Sequence, residues 1–414
     1  MEGDSDLEIM RTETHLVPRT VIIVFEAKCD MEKSEEAIDN DQKEGMVPLT
    51  SSFTQIMKVL VAESFNYAVL ISEYPRLSAA GGDGSIHTKM RDIFGIIDQI
   101  YYVILATIGV PVNLLAIVIL SRGKCGLCTC TTRYLVAMAT ADLLVIVTEV
   151  IFYQINYYYF PRNLLDITPV CSVTIVLTSA ATDCSVWFTV TFSMDRFVAI
   201  CCQKLKRKYC TKKTSAVILS TTCFLFCVKS IPLYFIYEPG KIVDNVPWFC
   251  AVKPSYYTEP GWVMFDWLLI VLTPLLPFAL ILLLNSLTVR HIIVASRVRK
   301  GLRGEIKSEN HCDPEMESRR KSMILLFTIS GSFILLWLLY VIEFLYYNIT
   351  GIDPQDYSDS EYIFQQAGYM LQNLSCCTNT FIYGATQSKF REQVKSVVKY
   401  PVTSIIQLIN KHNG

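Results

Sequence analysis

The sequence predicts an all-α membrane protein: a bundle of seven transmembrane helices followed by a short amphipathic eighth helix. Of the 414 residues, 52% are hydrophobic and only 18% are charged, whereas about 25% charged residues are usual in soluble domains. Seven apolar stretches are each long enough to cross the hydrocarbon layer of a bilayer, which is about 30 Å thick. Lysine and arginine concentrate in alternate loops between these stretches, as they do in the cytoplasmic loops of membrane proteins.

The chain divides into three parts. Residues 1–90 are more acidic than basic and contain only short apolar runs, so we expect a disordered, acidic extracellular tail. No signal-peptide pattern opens the chain, so the first span is expected to direct insertion; alternatively, part of the tail is missing from the mature protein. Residues 91–387 form the predicted seven-transmembrane domain. Residues 388–414 form an amphipathic helix and a cytoplasmic tail.

Loop charges set the predicted orientation. Basic residues crowd the loop after the third span, beginning at Lys204, and the loop after the fifth span, beginning at Arg297, while the alternate loops hold almost none. The N-terminus is therefore expected outside the plasma membrane and the C-terminus inside. The glycosylation motif at Asn348 falls on the predicted outer side. The seven predicted spans cover approximately residues 93–120, 133–159, 169–202, 214–237, 262–293, 321–347 and 361–386.

The segment after the seventh span has the pattern of a surface helix. Phe390, Val394 and Val397 fall on one helical face, and the basic side chains Lys389 and Lys395 fall mostly elsewhere. This pattern predicts an amphipathic helix that lies on the inner surface of the lipid bilayer. A solvated tail helix is the alternative.

Charge inside a membrane span is costly and therefore indicates function, and four ionisable residues within the predicted spans stand out. They are Asp142, Asp183, Lys229 and Glu343. A carboxylate with neighbouring amides and hydroxyls has the oxygen ligands for a small cation, so Asp142 is the centre of a candidate sodium site. The alternative is that its groups only bond one another between helices. The proposed neighbours of Asp142 in this site are Ser185, Asn113, Ser375 and Asn379.

Several motifs in this order resemble those of rhodopsin-family (class A) G-protein-coupled receptors, from about Ile93 to Lys399. The chain is most similar to orphan peptide-type receptors. The interval of 25 residues between Cys171 and Arg196 is the interval of that family. The matching positions are Asn113, Ala141-Asp142, Cys171, Asp195-Arg196-Phe197, Pro277, Phe333 with Trp337, and the segment from Asn379 to Tyr383.

The resemblance implies a role for several of these residues. Cys171 is expected to form a disulfide with Cys250 in the second outer loop. Asp195, Arg196 and Tyr383 would form the switch that meets a heterotrimeric G protein. The activation core would consist of Pro277, Phe333 and Trp337, and the ligand pocket would include Thr178, Trp337 and Glu343.

The chain also departs from the family pattern. Phe197 and Thr380 replace a tyrosine and a proline, and Leu339 stands where a proline usually kinks the sixth helix. Arg319 replaces an acid that often holds Arg196, so we expect elevated basal signalling. Thr178 stands where amine receptors carry an aspartate. Because the outer loops are rich in aromatic residues, the expected ligand is an extracellular peptide or an aromatic small molecule.

Other functions are less well supported by the sequence. A seven-helix ion or solute transporter is the alternative, resting on the four intramembrane ionisable residues, but we find neither an internal repeat nor paired interrupted helices. Cys125, Cys128 and Cys130 have a spacing that suits zinc but lack a nearby fourth ligand. We find no catalytic or nucleotide-binding motif, so we expect no enzyme, no nucleic-acid partner and no cofactor apart from an allosteric sodium ion.

Overall fold

The computed structural model describes residues 84–303, 314–350 and 357–397. Within these residues, seven long helices follow one another along the chain. Most of the predicted N-terminal tail, part of the third inner loop and the end of the C-terminal tail lie outside the described residues. The long helices are α1 (Gly84–Ser121), α2 (Thr129–Tyr159), α3 (Thr168–Cys201), α4 (Lys212–Ser230), α5 (residues 260–303), α6 (Pro314–Thr350) and α7 (Asp359–Thr386).

Six of these helices, α1 to α6, contain segments long and apolar enough to cross a membrane, counted over the described residues. The helix α7 has 28 residues, but polar side chains such as Gln365 and Asn373 make it less apolar. The chain is thus a multi-pass membrane protein. The helix α1 begins at Gly84, so residues 84–90 are helical.

Two of the long helices contain π-helical turns. In α2 the π-helix covers Ile146–Ile155, and in α5 it covers Val271–Leu275. Neither Pro274 nor Pro277 has an N–H group, so carbonyls in the preceding turn lose their helical donors. The Nε1–H of Trp187 in α3 donates to the carbonyl oxygen of Leu272 at 3.0 Å. The helix α6 has no such break, in line with Leu339 in the place of a proline.

The loop between α4 and α5, which is the predicted second outer loop, adds a β-hairpin to the helical bundle. The strands β1 (Tyr237–Val243) and β2 (Val246–Val252) are antiparallel. Asp244 and Asn245 form the two-residue turn with φ values of 52° and 59°. Positive φ at both positions suits the right-handed twist of the strands, and asparagine and aspartate tolerate it well. The dipeptide Asp244-Asn245 was the sequence signal for this turn.

Short helical segments fill the remaining connections. One of them, Gln203–Tyr209, follows α3 at the end that the loop charges predict to face the cytoplasm, and we call this the inner end. Residues 388–397 are also helical. The others are the 3₁₀ helices Leu164–Asp166 and Ile231–Ile236 and the single turn Ser255–Thr258.

The helix α3 lies in the middle of the helices, against α2, α4, α5 and α6. Around its inner half, the buried core includes Tyr134, Phe192, Leu325 and Tyr383 from four different helices. Close side-chain packing of this kind holds helices together in lipid, where the hydrophobic effect between them is weak. The inner end of α3 is therefore fixed by neighbours on several sides.

Candidate functional site

Asp195 and Arg196 form a buried ion pair at the inner end of α3. Their side chains are 1% and 7% exposed. The Arg196 guanidinium donates twice to Asp195 Oδ2, from Nε at 3.1 Å and from Nη2. An arginine is always charged, so its burial requires such a partner. The predicted switch pair is thus assembled, with Arg196 held by its neighbour in sequence.

Arg196 also reaches α6. Its Nη1 donates to the Ser322 hydroxyl at 3.2 Å, and its guanidinium carbon lies 6.0 Å from the centre of the Phe192 ring. A neutral hydroxyl holds a guanidinium more weakly than a carboxylate does. The contact between α3 and α6 is therefore present but contains no ion pair among the described side chains. The sequence analysis did not identify Ser322.

Three predicted residues of the candidate sodium site meet in the core. The Ser185 hydroxyl donates to Asp142 Oδ1, and Asn379 Nδ2 donates to Asp142 Oδ2 at 2.9 Å. Asp142 is 1% exposed. Each carboxylate oxygen can accept more than one partner, so both remain able to bind a cation. This arrangement joins α2, α3 and α7.

The other two predicted sodium ligands have different partners. Asn113 Nδ2 donates to the carbonyls of Gly109 and Cys376, at 3.0 and 2.8 Å. The Ser375 hydroxyl donates to the Gln372 carbonyl at 2.6 Å and accepts from Trp337 Nε1 at 3.1 Å. Asn113 therefore ties α1 to α7, and Ser375 ties α7 to α6.

A small cavity lies above Asp142, between α3, α6 and α7. Its volume of about 10 Å³ for the centres of water-sized molecules suffices for about one water or ion. Hydroxyl and amide groups make much of its wall, so it suits a polar occupant. The lining residues are Ser185, Thr189, Ser332, Phe333, Trp337, Ser375, Thr378 and Asn379.

The predicted aromatic pair of α6 is packed as a unit. The ring centres of Phe333 and Trp337 are 5.2 Å apart, and Trp337 forms part of the cavity wall. Further out along α6, Tyr340 contacts Trp337 edge-on at 5.7 Å and Tyr369 of α7 at 5.6 Å. A chain of rings thus runs outward from the cavity. Pro277, the third predicted member of the activation core, lies in α5 beyond the π-helical turn.

Tyr383 is fully buried at the inner end of α7. Its ring contacts Phe390 edge-on, with centres 6.0 Å apart, and its hydroxyl has no hydrogen-bond partner among the described residues. A buried hydroxyl without a partner costs free energy. A conformation in which this hydroxyl gains a hydrogen-bond partner would recover that free energy.

Two predicted pocket residues lie in the outer half of the helices. Glu343 of α6 accepts hydrogen bonds from Gln365 Nε2 at 3.0 Å and from the Tyr357 hydroxyl at 3.3 Å. Burial and the Glu343 carboxylate raise the pKa of Tyr357 to about 12, so this phenol remains a donor at neutral pH. The Thr178 hydroxyl is buried without a partner among the described residues. Neither Thr178 nor Glu343 lines the cavity at Trp337.

Asp183 and Lys229, the remaining intramembrane ions, bond each other. Lys229 Nζ of α4 lies 2.5 Å from Asp183 Oδ2 of α3, and the Thr273 hydroxyl of α5 donates to Asp183 Oδ1 at 2.6 Å. The four ionisable residues that the sequence analysis singled out therefore lie in three separate arrangements, one of which is the Asp183–Lys229 pair. The sequence analysis did not single out Asp98 of α1, which accepts from the Tyr158 hydroxyl at 2.7 Å, or Glu149 of α2, which accepts from Gln154 Nε2 at 3.0 Å.

The predicted disulfide is present. Cys171, near the start of α3, is bonded to Cys250 in β2, and the Thr168 hydroxyl donates to the Phe249 carbonyl beside it at 2.7 Å. The bond ties the hairpin to the outer end of α3. Asn348, the predicted glycosylation position, lies in the helical end of α6, and its side chain is outside the described part of the structure.

Removing the disulfide should destabilise the protein. We expect the double variant Cys171→Ser, Cys250→Ser to lose about 2–4 kcal/mol of unfolding free energy, because the link restricts the unfolded chain. Thermal unfolding in detergent measures the loss. The matched control is Cys223→Ser, which changes an exposed free thiol and should leave stability unchanged. Equal stability of the double variant and wild type would contradict the prediction.

Comparison with known proteins agrees with this geometry. Residues 112–383 match the family described as 7 transmembrane receptor (rhodopsin family). The chain is also similar to a protein of Mus musculus described as probable G-protein coupled receptor 142, with 24% identity over 334 residues. That alignment covers 78% of this chain and 81% of the mouse protein.

Proposed function

Because this chain belongs to the rhodopsin family of seven-transmembrane receptors, we propose that it binds an extracellular ligand and activates a heterotrimeric G protein from the plasma membrane. It is a receptor and not an enzyme. In this proposal the N-terminus lies outside, α7 is the seventh span, and residues 388–397 form the amphipathic helix on the inner surface. Phe390, buried against Tyr383, supports that position for the last helix.

One observation carries the proposal: Arg196 is a buried cation with a local acid and only a weak contact to α6. Asp195 holds Arg196 within α3 itself, whereas the hydrogen bond from Arg196 to α6 is a single one, to Ser322. The guanidinium also contacts the sulfurs of Cys128 and Cys130 at the start of α2, at 3.6 and 3.8 Å. If α6 moves outward, that single bond breaks and the guanidinium becomes available to a G protein. In this proposal, movement of α6 switches the protein between two states.

Nucleotide exchange on a purified G protein tests this function. Membranes that contain the wild-type chain should accelerate exchange without added ligand, and Arg196→Ala at equal surface expression should not. The matched control, Arg391→Ala, removes a half-buried arginine that bonds the Gly384 and Ala385 carbonyls and should retain exchange. If wild type accelerates exchange no more than Arg196→Ala for every G-protein subtype, elevated basal signalling is wrong.

For the ligand, we propose a peptide or an aromatic small molecule that enters from the outer side. The support is the chain of rings formed by Trp337, Tyr340, Phe344 and Tyr369, whose neighbouring centres are 5.6–6.1 Å apart. Aromatic faces of this kind favour aromatic or apolar ligand groups. The buried Glu343 beside them would bind a cationic group of the same ligand. No transported ion is needed to explain the four ionisable residues.

We further propose that sodium binds at Asp142. Asp142, Ser185 and Asn379 supply one carboxylate, one hydroxyl and one amide oxygen, and the adjoining cavity has room for about one ion. Ser375 lies on the cavity wall. Asn113 is not among the residues that line the cavity, and its amide joins α1 to α7. A bound cation would stabilise this arrangement of α2, α3 and α7 as an allosteric ion.

Replacing sodium by a bulky organic cation at equal ionic strength tests the site. We expect the midpoint of thermal unfolding of the wild type to fall, by about 2–4 °C for each kcal/mol of lost binding. The variant Asp142→Asn should show no difference between the two salts, because it lacks the charge that attracts the ion. Asn113→Ala is the control and should keep the sodium effect. A sodium effect that survives in Asp142→Asn would place the ion elsewhere.

A further inference from the structure

A cluster of thiols surrounds the acid that holds Arg196. The sulfurs of Cys130 and Cys210 and a carboxylate oxygen of Asp195 all lie within 4.8 Å of one another. A third sulfur, that of Cys128, lies 3.1 Å from the sulfur of Cys130. We call these four side chains, Cys128, Cys130, Cys210 and Asp195, the inner thiol cluster.

Three separate parts of the chain build this cluster. Cys128 and Cys130 stand at the start of α2, and Asp195 is in the last turns of α3. Cys210 follows the short helix Gln203–Tyr209, which folds back beneath α3. Its sulfur lies 3.9 Å from the Asp195 carbonyl oxygen. Cys210 and Asp195 are thus the further ligands that the sequence analysis did not find near Cys128 and Cys130. Cys125, the third thiol of that spacing, instead has its sulfur 3.9 Å from the Ile119 carbonyl oxygen.

The donor set is that of a zinc site. Thiolate sulfur and carboxylate oxygen are both common zinc ligands. Cys130, Cys210 and Asp195 supply three of them within 4.8 Å of one another, and Cys128 beside Cys130 is the fourth ligand that a tetrahedral site needs. Soft thiolates select zinc over magnesium and calcium. Thiols on the cytoplasmic side of the membrane are kept reduced and so remain free to bind a metal. Cys128 is exposed, which gives an ion access to the cluster.

The surrounding charge also suits a metal held by thiolates. Three thiolates and one carboxylate carry more negative charge than a zinc ion neutralises. The Arg196 guanidinium lies 3.6 Å from the Cys128 sulfur and 3.8 Å from the Cys130 sulfur. This fixed cation offsets part of that excess.

We infer that the inner thiol cluster binds one Zn²⁺ ion, which ties the start of α2 and the second inner loop to the inner end of α3. The ligands are the sulfurs of Cys128, Cys130 and Cys210 and the carboxylate of Asp195. Because the metal would bind the folded arrangement and not the separated segments, it raises the stability of this region. The ion would stand directly beside the Asp195–Arg196 pair.

Cobalt, which absorbs light when thiolates bind it, provides the probe. The full-length chain in lipid nanodiscs, reduced and freed of metal, is titrated with Co²⁺ and then with Zn²⁺. We expect a thiolate-to-cobalt absorption band that saturates at one equivalent and disappears on addition of zinc. The double variant Cys130→Ser, Cys210→Ser should bind cobalt at least about a hundredfold more weakly. The matched control, Cys223→Ser with Cys227→Ser, removes two exposed thiols of α4 and should keep the band.

A second measurement uses only the wild-type chain, so it stands even if a variant does not fold. Alkylation followed by mass spectrometry should show Cys128 and Cys210 protected by zinc and reactive once the metal is removed. The inference fails if wild type gives no absorption band. It also fails if the cluster double variant keeps the band, if the control variant loses it, or if zinc leaves the alkylation of Cys128 and Cys210 unchanged. None of these readouts depends on G-protein activation.

Discussion

The variant Asp183→Ala should lose about 3–5 kcal/mol of unfolding free energy, because it leaves the Lys229 ammonium buried without a counter-ion. The two side chains are 3% and 10% exposed, and their charged atoms are 2.5 Å apart. The Thr273 hydroxyl also loses its acceptor on Asp183. The change therefore removes the polar link among α3, α4 and α5 at once. Thermal or detergent-induced unfolding of the purified receptor measures the loss.

Two further variants separate loss of the pair from loss of packing. Replacing both partners, with Asp183→Leu and Lys229→Met, should restore stability to within about 1 kcal/mol of wild type, because no unpaired charge remains. Asp183→Asn should fall between these limits, since it can still accept from Thr273. If the double variant is as unstable as Asp183→Ala, the penalty comes from packing and the prediction is wrong.

This pair also shows why the transporter alternative looked plausible from sequence alone. Asp183 and Lys229 are ionisable residues inside apolar segments, which is the mark of an ion path as well as of a structural pair. Which of the two applies depends on how far each helix is rotated toward its neighbour. The sequence of one helix does not determine that rotation relative to a helix 46 positions away in the chain.

Elements that depend on local pattern were predictable. The apolar stretches predicted the bounds of α1 to α6 to within several residues at most helix ends, because the thickness of the bilayer fixes the length of a helix that crosses it. The closeness of Asp142 to Ser185 and Asn379 was predicted from the depth that these positions share in the membrane. The disulfide between Cys171 and Cys250, which the family resemblance implied, is confirmed.

The features that the sequence did not predict depend mostly on the path of the loops. Cys210 reaches Asp195 only because the helix Gln203–Tyr209 turns back under α3, and no periodicity in the sequence fixes that direction. The outer hairpin had a turn signal at Asp244-Asn245, but its strands are short and one contains Pro239 and Gly240, which weaken a strand pattern. Asn113 has the depth expected for a sodium ligand, yet its amide bonds the Cys376 carbonyl instead.

The variant Ser322→Glu should lower basal nucleotide exchange by about tenfold, which corresponds to about 1.4 kcal/mol in favour of the resting state. In the wild type, Arg196 Nη1 donates to a neutral hydroxyl on α6 at 3.2 Å. A carboxylate at this half-buried position would form a charge-assisted bond to the same guanidinium, which is about twice as strong as a neutral one. The variant thus places on α6 an acid for Arg196, which this chain lacks because Arg319 stands where the family often has an acid.

The prediction depends on the negative charge of the new side chain. The matched control is therefore Ser322→Gln, because glutamine has nearly the same shape as glutamate but no charge. We expect Ser322→Gln to stay within about twofold of wild type, because an amide oxygen holds the guanidinium no more strongly than a hydroxyl does. Unfolding of Ser322→Glu should also occur at a higher temperature, since the new ion pair joins α3 to α6 in the resting state. Equal loss of exchange in both variants would trace the effect to side-chain size. An unchanged rate in Ser322→Glu would mean that the Arg196 contact to α6 does not limit opening, and that Asp195 alone sets the basal level.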